Sequence, residues 1–286
     1  MRALLCLSMG LLAPFATAEE IDLGRGPVPL TVPSGYSADE AAPLVVLLHG
    51  YTSSGKQQEG YMKFSALADE YGYLFLAPDG TREEAGRKVQ FWNASQACCN
   101  FQGSEVDDSA YIRGLIDEVA SKYTVDLKRV YLIGHSNGGF MSFRMAYDHS
   151  DTIAAIASLA GASLSDPDLP PPATPVHVLQ IHGTNDTTIL YEGGEIGETN
   201  YPGAVQSVER WAKFNGCAVE AAPAKSPIDL EKRLEGEETQ VTRYVSACKP
   251  GGSAELWTIQ DGGHIPSLSE TFSRQVIEWL LAHPKA

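Results

Sequence analysis

Ser136 sits in Gly134-x-Ser136-x-Gly138, between an apolar run with β-branched residues at 130–133 and a segment of helical composition at 140–146. A strand, a tight turn and a helix carrying G-x-S-x-G form the context of a nucleophile elbow. Only small residues fit on either side of a serine in so sharp a turn. The turn holds the hydroxyl out of the sheet, at the positive end of the following helix. Such a hydroxyl can attack a carbonyl carbon if the chain also supplies a base, a group to orient it and an oxyanion hole. The competing reading is a glycine-rich loop with an incidental serine, and the flanking strand and helix weigh against it.

Other chemistries lack their patterns. No Cys/His cluster has ligand spacing, so no metal is expected. The glycine-rich segments carry no phosphate-loop lysine, and no dinucleotide fingerprint follows a strand, so no cofactor is expected.

The elements that must position Ser136 read as alternating strands and helices. Residues 43–48 form a continuous apolar run, as central parallel strands do. Further strands are expected at 73–77, 130–133, 153–159, 176–181, 241–246 and 255–260, and helices at 62–71, 106–123, 204–215 and 268–281. Residues 21–37, with three prolines, read as irregular edge strands. Residues 81–107 read as a long loop and 218–238 as a charged surface excursion. The alternation implies βαβ units in a mostly parallel central sheet covered by helices on both faces. In such sheets the site lies beyond the carboxyl ends of the strands. The polar clusters of this chain fall there, after Leu48, Ile133, Ile181 and Gln260.

The 286 residues are 43% hydrophobic and 20% charged, which suits a substantial core. A formal net charge of −15 argues against nucleic acid and anionic membrane surfaces as partners. Residues 1–18 read as a signal peptide, with Arg2, an apolar stretch and Ala16-Thr17-Ala18, so cleavage is expected after Ala18. The mature chain, 19–286, then reads as one domain, secreted to the periplasm or medium. No other segment is long and apolar enough to span a bilayer. Without the leader four cysteines remain: Cys98, Cys99, Cys217 and Cys248. Of three possible pairings we favour Cys217–Cys248, with Cys98 and Cys99 a neighbouring pair that is either bonded or two buried thiols. Oligomeric state is not encoded in any pattern we find.

Together, His49-Gly50-Tyr51, Pro78-Asp79-Gly80, Trp92 with Cys98-Cys99, Val106-Asp107-Asp108, the elbow, His182-Gly183-Thr184-x-Asp186, Asn215-Gly216-Cys217 and Gly262-Gly263-His264 resemble the α/β-hydrolase superfamily. Within it they are similar to secreted polyhydroxybutyrate-depolymerase and feruloyl-esterase-like carbohydrate esterases. The order of that fold is nucleophile, acid, histidine. The resemblance therefore implies Ser136 as nucleophile, Asp186 as acid and His264 as base. Asp79 is the rival acid, but it precedes the serine in the chain. The oxyanion hole would be the backbone N–H of Asn137 and that of Tyr51, with Thr52 second. Trp92 would floor the acyl pocket or be a simple core aromatic. The segment before residue 176 is too short for a large cap domain. The implied activity is hydrolysis of a small, oligomeric or polymeric ester, such as hydroxybutyrate oligomers or feruloyl and acetyl esters of polysaccharide. A serine peptidase and a non-catalytic binding module of the same fold are the alternatives.

Overall fold

Short aliphatic runs, bounded by glycine, proline or polar residues, build the sheet. The computed structural model describes residues 19–166, 168–218, 220–222 and 226–286, and the expected leader lies outside them. In chain order the elements are β1 (Glu19–Ile21), β2 (Val28–Thr31), β3 (Ala42–Leu48), α1 (Gly55–Met62), α2 (Ala68–Tyr71), β4 (Leu74–Leu76), β5 (Thr81–Arg82), β6 (Gln90–Phe91), α3 (Asp108–Lys122), β7 (Val125–His135), α4 (Asn137–Asp148), β8 (Ala155–Leu159), β9 (His177–Gly183), β10 (Gly193–Ile196), β11 (Thr199–Pro202), α5 (Ala204–Phe214), β12 (Thr239–Tyr244), β13 (Ser253–Ile259) and α6 (Phe272–Leu281).

Nine strands form one sheet in the order β1-β2-β4-β3-β7-β8-β9-β13-β12. The stretch from β4 to β13 is parallel, and β1, β2 and β12 add antiparallel margins. Both faces are covered, and β3 shows why its run is unbroken. Leu44, Val46 and Leu48 enter one apolar cluster with residues of α3, α4 and α5. Val45 and Leu47 enter the other, with Met62 of α1 and Phe272, Val276 and Ile277 of α6. Successive side chains of a strand point to opposite faces, so a doubly covered strand must be apolar at every position. Pro43 is tolerated in this central strand because the ladder to β7 shifts register between Ala42 and Leu44.

Several expected boundaries move. The helix expected at 62–71 is two pieces: α1 begins at Gly55, capped by Ser54 accepting from the Gln57 N–H, and α2 follows a short 3₁₀ turn. The loop at 81–107 contains a small hairpin of β5 and β6, and a second hairpin joins β10 to β11. No described residue between β8 and β9 is helical or extended, as the absence of a cap requires. Cys98 is bonded to Cys99 across a cis peptide, and Cys217 is bonded to Cys248. Among the described residues no helix is long and apolar enough to cross a membrane.

Candidate active site

Ser136 stands between β7 and α4 with φ 54° and ψ −119°, a backbone that costs strain for a residue with a side chain. The neighbouring glycines are required by close approach. A Cβ on Gly134 would lie 2.0 Å from the Gly138 carbonyl oxygen, and one on Gly138 would lie 2.2 Å from that of Leu48. The turn is tied to the sheet by the Ser136 N–H, which donates to Leu159 O at 2.8 Å.

Two loops bring the remaining groups to it. The turn after β9 and the turn after β13 pack backbone to backbone: a Cβ on Gly183 would lie 2.2 Å from the Gly262 carbonyl oxygen. Thr184 N–H donates to Ile259 O and Asn185 N–H to Gly262 O, at 3.0 and 2.9 Å. His264 thus arrives beside both Asp186 and Ser136. Its Nδ1 is 2.8 Å from Asp186 Oδ2 and its Nε2 is 2.9 Å from Ser136 Oγ. Neither Gly262 nor Gly263 has a positive φ; the left-handed residue is Asp261 at 59°. Gly262 is small because a Cβ would lie 2.5 Å from Ile259 Cγ2, whereas one on Gly263 would meet nothing within 4 Å.

Asp186 is 3% exposed and saturated with donors. Its Oδ1 accepts the N–H groups of Thr188 (2.8 Å) and Ile189 (2.9 Å). Its Oδ2 meets His264 and, at 3.2 Å, Nε2 of His182. Burial alone would raise its pKa, but the bonds from His182, His264 and the Thr188 N–H hold the carboxyl well below the usual carboxylate range. His182 Nδ1 lies 3.0 Å from Gln180 Nε2, which fixes that nitrogen as the acceptor and leaves Nε2–H to point at Asp186 and Ile189 O.

His135, inside the elbow, turns its ring toward His264. Its Nε2–H donates to the His264 carbonyl at 2.9 Å, and the two rings lie 5.1 Å apart. Burial, then the neighbouring His264, pushes it down to about 4, so it is neutral near pH 7. His49 uses both ring nitrogens structurally, with Nδ1 2.8 Å from Gly50 O and Nε2 accepting from the Gly80 N–H at 2.8 Å. The rival carboxylate Asp79 accepts from the Gly55 N–H at 2.8 Å, at the start of α1.

The loop carrying Tyr51 presses on the elbow: a Cβ on Gly50 would lie 3.4 Å from Ser136 Cβ. The Thr52 N–H is spent on Gln90 O at 2.9 Å, which removes it as a second oxyanion donor. The N–H groups of Tyr51 and Asn137 meet no acceptor among the described residues. The Tyr51 hydroxyl donates to Glu83 Oε1 at 2.6 Å, and its ring makes an edge contact with Phe101 at 5.2 Å.

Trp92 does not floor a pocket. It is fully buried, with Nε1–H donating to His49 O at 3.0 Å, so it has no surface to offer a substrate. Its backbone N–H and carbonyl pair with Oδ1 and Nδ2 of Asn137 at 2.7 and 2.9 Å, which locks the residue after the serine in place. Asp107 caps α3 at the Ala110 N–H, and the buried Asp108 ties Arg25, Thr81 and the Asn93 N–H together at the base of the long loop.

A serine hydroxyl bonded to an imidazole, itself bonded to a buried carboxylate, can lose its proton as it attacks an electrophilic carbon. A doubly covered parallel sheet with such a line beyond its strand ends is an α/β-hydrolase fold. The acetyl xylan esterase from Aspergillus awamori superposes with a TM-score of 0.63 at 17% identity, over 89% of this chain and 93% of that one. The chain belongs to the family described as Esterase PHB depolymerase, which matches residues 28–203. Feruloyl esterase B of Piromyces equi is 31% identical over 240 residues, 81% of this chain and 41% of that protein. Poly(3-hydroxyalkanoate) depolymerase C of Paucimonas lemoignei is 32% identical over 130 residues, 46% of this chain and 30% of that protein. The matched part spans less than half the length of each of these two relatives.

Proposed function

We propose that this chain is a serine carboxylesterase that works through an acyl-enzyme. The observation that carries the reading is the unbroken line from Ser136 Oγ through both nitrogens of His264 to a fully hydrogen-bonded Asp186. Ser136 attacks the ester carbonyl as its proton passes to His264 Nε2. The oxyanion is held by the N–H groups of Tyr51 and Asn137. His264 returns the proton to the departing alcohol, then activates the water that releases the acid. Asp186 keeps Nδ1 protonated and stabilises the imidazolium.

Substrates follow from the named relatives: feruloyl or acetyl esters on polysaccharide, or hydroxyalkanoate oligomers. A cleaved leader at 1–18, a single catalytic domain at 19–286 and two disulfides fit export. The test is a panel of methyl ferulate, acetylated xylan, hydroxybutyrate oligomers and a dipeptide anilide, run on the wild type and Ser136→Ala. Ester turnover lost in the variant supports the reading. Ester turnover retained in it, or cleavage of the anilide alone, would overturn it.

A further inference from the structure

A cavity of about 850 Å³ lies against the residues that follow His264. Ile265, Pro266 and Ser267 form one side of it, and Tyr61 and Lys63 at the end of α1 form another. Lys232 and Arg233, from the excursion between α5 and β12, complete the rim. The cavity shares a scaffold with the candidate active site. The Tyr61 hydroxyl donates to Pro266 O at 2.6 Å, and its ring lies 5.8 Å from that of His135, which in turn holds the His264 carbonyl. Ile265, next in the chain to His264, is 68% exposed and lines the cavity.

The charge of this wall is opposite to that of the molecule. Lys63, Lys232, Arg233 and Arg274 line it against the single carboxylate of Glu270, in a chain of formal net charge −15. Arg274 is committed to Glu70, with Nη2 2.8 Å from Oε2. Lys63, Lys232 and Arg233 are in no ion pair among the described residues. The adjacent Glu231 does not neutralise them by pairing: its carboxylate is buried and accepts the backbone N–H groups of Arg233 and Ser267. Cations left unpaired around a concavity focus potential into it and favour an anionic ligand.

We infer that this cavity is a subsite for a carboxylate carried on the non-reacting part of an ester substrate. The inference rests on the esterase reading of Ser136 and narrows its substrate class. Two sources supply that carboxylate: a uronate on a polysaccharide, or the free end of a hydroxyalkanoate oligomer, which belongs to the alcohol that departs.

The experiment uses the full chain and substrates matched except in charge. One pair is a 3-hydroxybutyrate trimer and its methyl ester; the other is an acetylated xylo-oligosaccharide with and without a uronate. The wild type favours the charged member of at least one pair in kcat/KM, by roughly fivefold, and added salt erodes that preference. Lys232→Glu with Arg233→Glu abolishes or inverts the preference, and the pair that responds identifies the source. Lys232→Gln with Arg233→Gln, checked for native circular dichroism, reduces it in the same direction if the double reversal fails to fold. No preference in either pair, or a preference unmoved by both variants, overturns the inference. If the wild type cleaves neither these esters nor p-nitrophenyl butyrate, it is the esterase reading that fails.

Discussion

His182 Nε2 lies 3.2 Å from the same Asp186 oxygen that meets His264 Nδ1 at 2.8 Å. The carboxylate is therefore oriented from behind by a second imidazole, itself set by Gln180. Groups that orient the partners of reacting residues are worth about tenfold or more when removed. His182→Phe fills the buried space but supplies no donor. We expect kcat on a chromogenic ester to fall roughly tenfold with KM little changed, since the lost bond acts on Asp186 and not on the substrate. An unchanged kcat would show that the Thr188 and Ile189 N–H groups suffice.

Stability should fall on mild acidification. Unfolded His135 titrates near 6.5, whereas in the folded protein it is pushed down to about 4 by burial and by His264. Between those values the unfolded chain binds a proton that the native chain does not. Stability therefore drops as pH falls through that window, by on the order of 3 kcal/mol for this group alone. His177, pushed down to about 3 by burial and His283, acts in the same direction. The difference between proteins isolates His135: the loss of Tm between pH 7 and pH 4.5 should be smaller in His135→Gln than in the wild type. Equal losses would contradict the assignment.

Two glycines of the site should respond oppositely to alanine. On Gly138 a Cβ would lie 2.2 Å from Leu48 O and 2.7 Å from His49 O, both backbone, so the elbow must shift off β3. On Gly263 it would meet nothing within 4 Å, and φ is not positive there. We expect Gly138→Ala to cost at least about 100-fold in kcat/KM, because small misplacements at a nucleophile are that costly. Gly263→Ala should stay within about twofold by the same assay.

Replacing Cys217 and Cys248 by alanine opens a loop with a sequence separation of 31. Chain entropy assigns that crosslink roughly 3–4 kcal/mol. The bond joins the turn after α5 to the turn after β12, and neither cysteine belongs to the Ser136–His264–Asp186 line. Denaturant unfolding should show the loss while kcat is retained.

The sheet was legible because central parallel strands must be apolar at every position, and because each chemical group sits at a strand's carboxyl end. The polar turns after 181 and 260 mark where Asp186 and His264 sit, and their roles follow only from the nucleophile–acid–histidine order that the α/β-hydrolase resemblance implies. What escaped the sequence was set by packing. The hairpins β5–β6 and β10–β11 are two and four residues per strand, too short for a period to register. Trp92 reads as either a pocket floor or a core aromatic until its contacts with His49 and Asn137 are seen. Thr52 has the residue type of a donor loop, but its φ of 70° turns the N–H onto Gln90. His182 did leave a signal: two residues from Gln180 on one strand, it shares that residue's face, and it precedes Asp186 by one turn.

The most direct test is rapid-quench hydrolysis of p-nitrophenyl acetate with intact-mass and peptide mapping of the acid-quenched protein. An acyl-enzyme through Ser136 requires a burst of nitrophenol approaching one equivalent and an acetyl mass on the peptide containing Ser136, both absent in Ser136→Ala. A burst that survives in Ser136→Ala, or an acetyl group mapped to another residue, would contradict it.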